Sequence, residues 1–133
     1  MTTRLQPMSY DFHLICDQDP REGRFDYACA EFENKFQLTA VEATGDLIVN
    51  LAGEGLGLIS APLKIPNAEV RRIFGEEVAQ QIGGDGWVSE VNCPYDKDTA
   101  EAVRAFLMIT VIGTKGVLID PQSNEVINAE WGS

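Results

Sequence analysis

The sequence predicts an α+β domain, a mainly antiparallel sheet with about three helices packed on one of its faces. Three observations point there. Runs of alternating apolar residues follow one another across Gly, Asp and Pro breaks, which favours hairpins. Three longer segments carry an apolar stripe of helical period, and 133 residues at 44% hydrophobic suit a single core. Residues 1–8 are expected to form a flexible arm and residues 9–133 the domain. The element order suggests two strand-helix-strand-strand units, residues 9–51 and 87–128, with no residue-level repeat between them.

SYDFHLIC places Tyr10, Phe12, Leu14 and Cys16 on one face and Asp11, His13 and Ile15 on the other, a half-buried first strand with His13 on its polar side. Asp19-Pro20 with Glu22 reads as a capping box with proline at the first helical position. Phe25, Cys29, Phe32 and Phe36 then form the apolar stripe of a helix. FQLTAVEAT and DLIVNLAG flank Gly45-Asp46 and predict a hairpin centred on residues 44–46. LGLISAPLKI comes next, and Pro62 assigns it to an edge strand or an irregular end.

A helix is expected from Asn67, as N-cap, to Gly83-Gly84, with Val70, Ile73, Phe74, Val78 and Ile82 on one face and Gly75 weakening it. GWVSEVNCPY alternates Trp87, Ser89, Val91 and Cys93 as a strand. Asp98-x-x-Glu101 repeats the capping-box signature and opens a helix that is apolar all round over residues 106–112, hence sandwiched in the core, with Gly113 at its end. GVLID and NEVIN close the chain as a strand pair. Between them Asp120-Pro121 supplies the acceptor and fixed φ of a tight connection, so Asp120 reads as a turn-former rather than a catalyst.

Twenty-one acidic residues against 10 basic give a net charge of −11. That disfavours direct nucleic-acid binding, which runs on clustered Lys and Arg. Every apolar run is shorter than the roughly 20 residues a membrane span needs, and MTTRLQPMSY lacks the apolar core of a secretory signal, so a cytoplasmic location is expected. Cys16, Cys29 and Cys93 are an odd set without a C-x-x-C pair and read as buried hydrophobes. His13 is the only histidine. No cofactor or metal is expected. GEGLG leads into a β-like run rather than a helix, so it reads as a strand connection or bulge and not as a phosphate loop. There is no G-x-S-x-G elbow, and the carboxylate pairs fall at helix starts and surfaces, where pKa tuning for catalysis is not expected.

The acid is concentrated between residues 76 and 101, where seven carboxylates, Glu76, Glu77, Asp85, Glu90, Asp96, Asp98 and Glu101, face a single base, Lys97. A solvated surface is the plain reading; a field that steers a basic partner is the sharper one. Trp87 lies inside this segment and is read either as core filling or as an interface anchor rimmed by carboxylates. Trp131 is assigned to packing across a sheet edge.

GVLIDPQSNEVI, preceded by a strand and an alanine-containing helix, resembles the C-terminal part of small bacterial immunity-type proteins of polymorphic toxin systems. The resemblance covers about the last third of the chain and carries no functional residue across. It implies a non-enzymatic interaction protein that occludes a basic toxin or effector. The contact residues are expected from the acidic segment itself, with Glu76, Glu77, Asp85, Glu90, Asp96 and Asp98 steering the partner and Trp87 docking it. The alternatives are a small-molecule-binding domain or weak enzyme, and an acidic mimic of nucleic acid that inhibits a DNA-binding protein.

Overall fold

A computed structural model describes residues 9–94, 96–120 and 125–128. The elements are β1 (Ser9–Cys16), α1 (Arg24–Glu31), β2 (Phe36–Ala40), β3 (Leu47–Leu51), β4 (Glu54–Ile59), β5 (Leu63–Ile65), α2 (Asn67–Phe74), α3 (Glu76–Ile82), β6 (Gly86–Pro94), α4 (Lys97–Val111), β7 (Val117–Asp120) and β8 (Glu125–Asn128). The α+β class is as predicted. One sheet runs β2-β3-β4-β6-β1-β7-β8, with β5 also bonded to β6, and every pairing is antiparallel. Both strand-helix-strand-strand units are present as β1-α1-β2-β3 and β6-α4-β7-β8. Each helix carries the chain over the sheet, so β7 returns beside β1 rather than beside β6.

The helices cover both faces, not one. Tyr10, Phe12, Leu14 and Cys16 join Phe25, Val103, Phe106, Leu107 and Val111 of α1 and α4 in the larger core. Ile15 and Val117, which alternation turns to the opposite face, are buried against Val70, Val78, Ala79 and Ile82 of α2 and α3. Ile15 therefore marks a strand covered on both sides, whereas Asp11 and His13 beside it suggested a solvated face.

Several boundaries differ from expectation for local reasons. The expected single helix over 67–82 breaks at Gly75, whose φ of 103° and ψ of 168° lie outside the helical region and favour glycine. The break leaves Val70, Val78 and Ile82 inward but turns Ile73 out, 51% exposed. Asn67 is the first helical residue and Pro66 the N-cap; the Asn67 amide instead donates to Ala79 O at 3.0 Å and Gly84 O at 2.8 Å, tying the start of α2 to the end of α3. Asp19 accepts from the Arg21 backbone and side chain, and α1 begins only after Gly23. Phe36 belongs to β2, although its ring still meets Phe32, centroids 4.9 Å apart. The α4 cap is Asp96, which accepts from Thr99 N, so Asp98 lies in the first turn.

GEGLG contains the bulge expected of it. The β3–β4 register shifts at Val49/Asn50, and Gly57 lies so close to β6 that a Cβ would come within 2.9 Å of Asn92 O. Trp131, the 1–8 arm and the 121–124 connection lie outside the described residues. Asp120 ends β7 with its side chain turned inward, 5% exposed, where it accepts from Tyr10 Oη at 3.4 Å. No helix among the described residues is long and apolar enough to cross a membrane.

Candidate binding cleft

On the α2/α3 face the strand registers align side chains in rows across the sheet. Val88, Ile15 and Val117 form one row; Glu90, His13, Ile119 and Val126 form the next. The helix pair covers the first row, burying Ile15 and Val117, and stops short of the second. The uncovered row floors a cleft of about 650 Å³, walled by Ile73 and Phe74 of α2 and by Leu63 and Ile65 of β5. A volume of roughly 300–1,000 Å³ is typical of small-molecule pockets.

The walls are mostly apolar, and two polar groups converge on the floor. His13 stands directly opposite Glu90 in the antiparallel register, the arrangement in which facing side chains interact. The His13 ring meets Phe74 edge-on, centroids 5.7 Å apart, and its Nδ1 is buried without a hydrogen-bond partner among the described residues. Ser60 locks the margin: its backbone N–H donates to Glu90 O at 2.8 Å, and its Oγ accepts from Glu90 N at 2.8 Å. This clasp bridges the gap where the edge partner of β6 changes from β4 to β5.

The rim exposes apolar surface. Leu63 is 66% exposed, Ile73 51% and Val126 50%, three of the four large hydrophobic side chains that stand exposed among the described residues. Val126 also borders a second cleft of about 340 Å³, lined by Glu77, Gln80 and Gln81 of α3 over Val117. The two clefts meet at Val126, a groove in two parts along the margin of the helix pair.

No family model matches this chain, and no curated protein or solved structure matches it either.

The seven residues read from the sequence as a partner surface are spread over the molecule. Glu76 and Glu77 open α3, where the helix N-terminus favours negative charge; Glu76 pairs with Arg71 and accepts from Gln80. Asp85 precedes β6 and lies 3.7 Å from Lys64. Trp87 starts β6 on the α1/α4 face, half-buried, with the Lys64 ammonium 5.8 Å and the Arg21 guanidinium 5.9 Å from its ring centroid. Its immediate neighbours are therefore cations. Glu90 points to the opposite face, three residues on. Asp96 and Asp98 lie beyond the far end of β6, roughly 25 Å away at the rise of a strand. Of the seven, the groove brings together only Glu77 and Glu90.

Alternation could have indicated the cleft from the sequence: Ile15, Val88 and Ile119 are apolar at positions facing away from the main core. What it could not supply is the break at Gly75, which sets where helical cover ends. A smaller polar cleft of about 220 Å³ on the α1/α4 face holds Tyr10, Asp120, Lys97, Glu101 and Arg104. Among the described residues no group of three or more His, Cys, Asp or Glu is placed to hold a metal ion.

Proposed function

We propose that this protein is a non-enzymatic interaction module, an immunity-type inhibitor of a basic toxin or effector acting in the cytoplasm, and that its contact surface is the apolar cleft. The observation that carries the reading is the convergence of Leu63, Ile73 and Val126 around one concavity. Contiguous exposed apolar surface rimmed by polar residues marks interaction sites, and a pocket that takes an anchor side chain is how such interfaces concentrate their affinity. The net charge of −11 supports a partner of opposite sign. The last third of the chain, which carries the resemblance, contributes Ile119 and Val126 to the floor.

Capture from host lysate by immobilised wild-type protein, Leu63→Asp, Ile73→Asp and a Tyr27→Asp control tests this. A partner held by wild type and by the control but lost from both cleft variants is the expected result. Equal retention by all four sinks the cleft as the contact surface. The cleft volume also supports a second reading, a small-molecule site. That reading expects saturable 1:1 binding of a neutral apolar dye such as Nile red, lost in Ile73→Asp, with no protein captured.

A further inference from the structure

We propose that the groove accepts an extended segment of a basic partner, in which one apolar side chain enters the main cleft and flanking Lys or Arg side chains meet Glu90 at one end and Glu77 at the other. The inference rests on the reading of the cleft as a protein contact surface and adds the chemistry of its occupant.

Charge complementarity carries it. Four carboxylates on or near the surface are already neutralised within the fold: Asp19 by Arg21, Glu69 by Arg72, Glu76 by Arg71 and Asp85 by Lys64. Glu77 and Glu90 form no ion pair among the described residues, and both are exposed. They stand at the two ends of the apolar groove, and no described Lys or Arg lines either cleft. Salt bridges thus engage Arg71 and Arg72 of α2, and the charged side chains that line the two clefts are carboxylates.

Geometry sets the pattern of the segment. Glu90, His13, Ile119 and Val126 lie on four successive strands, so the floor is about 14 Å long at the usual strand spacing. About four extended residues cover that distance, and Glu77 lies beyond Val126 in the adjoining cleft. An apolar residue over His13 and Ile119 therefore has basic groups about two to five residues away on either side. The His13 ring lies at the centre of the floor.

The test is an NMR titration of the isotope-labelled full chain with a synthetic nine-residue peptide, a central Phe between Gly spacers with Arg near each end. Its partners are the same peptide with Glu for Arg and with Ala for Phe. The Arg/Phe peptide should shift the amides of His13, Glu90 and Ile119 at low salt. Its Kd should rise about 3–5-fold in Glu77→Gln and again in Glu90→Gln, and rise with added salt, as exposed charge pairs of this kind do. The other two peptides should bind at least about tenfold more weakly. Equal binding of the Arg and Glu peptides, or a Kd unmoved by both Gln variants, overturns the inference while leaving the cleft as a contact surface. Binding of Nile red with no binding of any peptide also overturns it, in favour of a small molecule. If neither dye nor peptide perturbs the row, the proposed function falls with it.

Discussion

Removing the Arg24 guanidinium is expected to loosen the joint between α1 and the C-terminus of α4. The last turn of a helix leaves carbonyls without intrahelical partners, and α4 has no basic residue in its own last turn. Arg24 supplies one from α1. Its Nε donates to Thr110 O at 2.7 Å, and its Nη2 donates to Ile112 O at 2.7 Å and Ile109 O at 3.2 Å. It also places positive charge at the negative end of the helix dipole. At about 1 kcal/mol net for each hydrogen bond, less what water restores to partly exposed carbonyls, Arg24→Ala should lose about 2 kcal/mol. Arg24→Lys keeps the charge without the planar fork and should lose about half of that. The guanidinium also stacks 4.6 Å from the Tyr27 centroid, so Tyr27→Leu separates the two contributions; at an exposed ring it should lose under about 0.5 kcal/mol. Urea unfolding by circular dichroism reads all three midpoints at constant slope. A loss below about 0.5 kcal/mol for Arg24→Ala, or a lysine variant equal to wild type, would show that water caps α4 equally well.

Burial, reinforced by Asp17, pushes the Cys16 thiol up to about 12, and burial reinforced by Asp11 does the same to Cys93. The unfolded chain releases these protons first, near the ordinary value of 9.0, so their contribution is intact below pH 9 and is lost as pH rises toward 12, by at most about 1.4 kcal/mol per pH unit for each thiol. Urea midpoints from pH 8 to 10.5 under reducing conditions should fall for wild type and fall less steeply in Cys16→Ala; parallel curves contradict this. At pH 8 a thiol reagent should label half-buried Cys29 in the native protein and all three cysteines only after unfolding. Gly86→Ala would place a Cβ 2.8 Å from Val70 Cγ2 and 3.4 Å from Ile15 Cγ2, so a loss of about 1–3 kcal/mol is expected, together with altered Nile red affinity as α2 shifts off the sheet. Phe106→Ala, in a fully buried position against Phe25 and Phe36, should lose about 3–5 kcal/mol in the same unfolding assay.

Strands and the main core were legible because period-2 alternation reports burial directly: Phe12, Leu14, Val91 and Cys93 all sit where it puts them. Helix ends were less so. Of the side chains expected as caps, Asp19 and Asn67 bond elsewhere and Asp98 yields the cap to Asp96, because a short polar side chain near a helix start does not reveal which backbone amide it will meet. The candidate site was legible only in fragments. Clustering in sequence suggested that the acids around Trp87 form one surface, but β6 turns successive residues to opposite faces, so Trp87 joins the α1/α4 core while Glu90 floors the groove. Which carboxylates stay unneutralised depends on pairs such as Arg71–Glu76 and Lys64–Asp85, formed across turns and strands rather than along one periodic face. Ile73 in the groove wall depends on the backbone turn at Gly75, where sequence periodicity signalled only a weak point in a helix.

The pairing of β1 with β6, from Ser9↔Pro94 to Cys16↔Trp87, has a temporal consequence. The β2-β3-β4 meander can close as soon as residues 36–59 have left the ribosome. The first strand has neither of its neighbours at that stage, because both β6 and β7 are synthesised much later. Closing so long a loop before any contact rewards it slows folding. The apolar face of Phe12 and Leu14 therefore lacks its strand neighbours during most of translation, a window in which exposed apolar surface favours aggregation, and a stall after α3 would leave a meander with no centre to dock on.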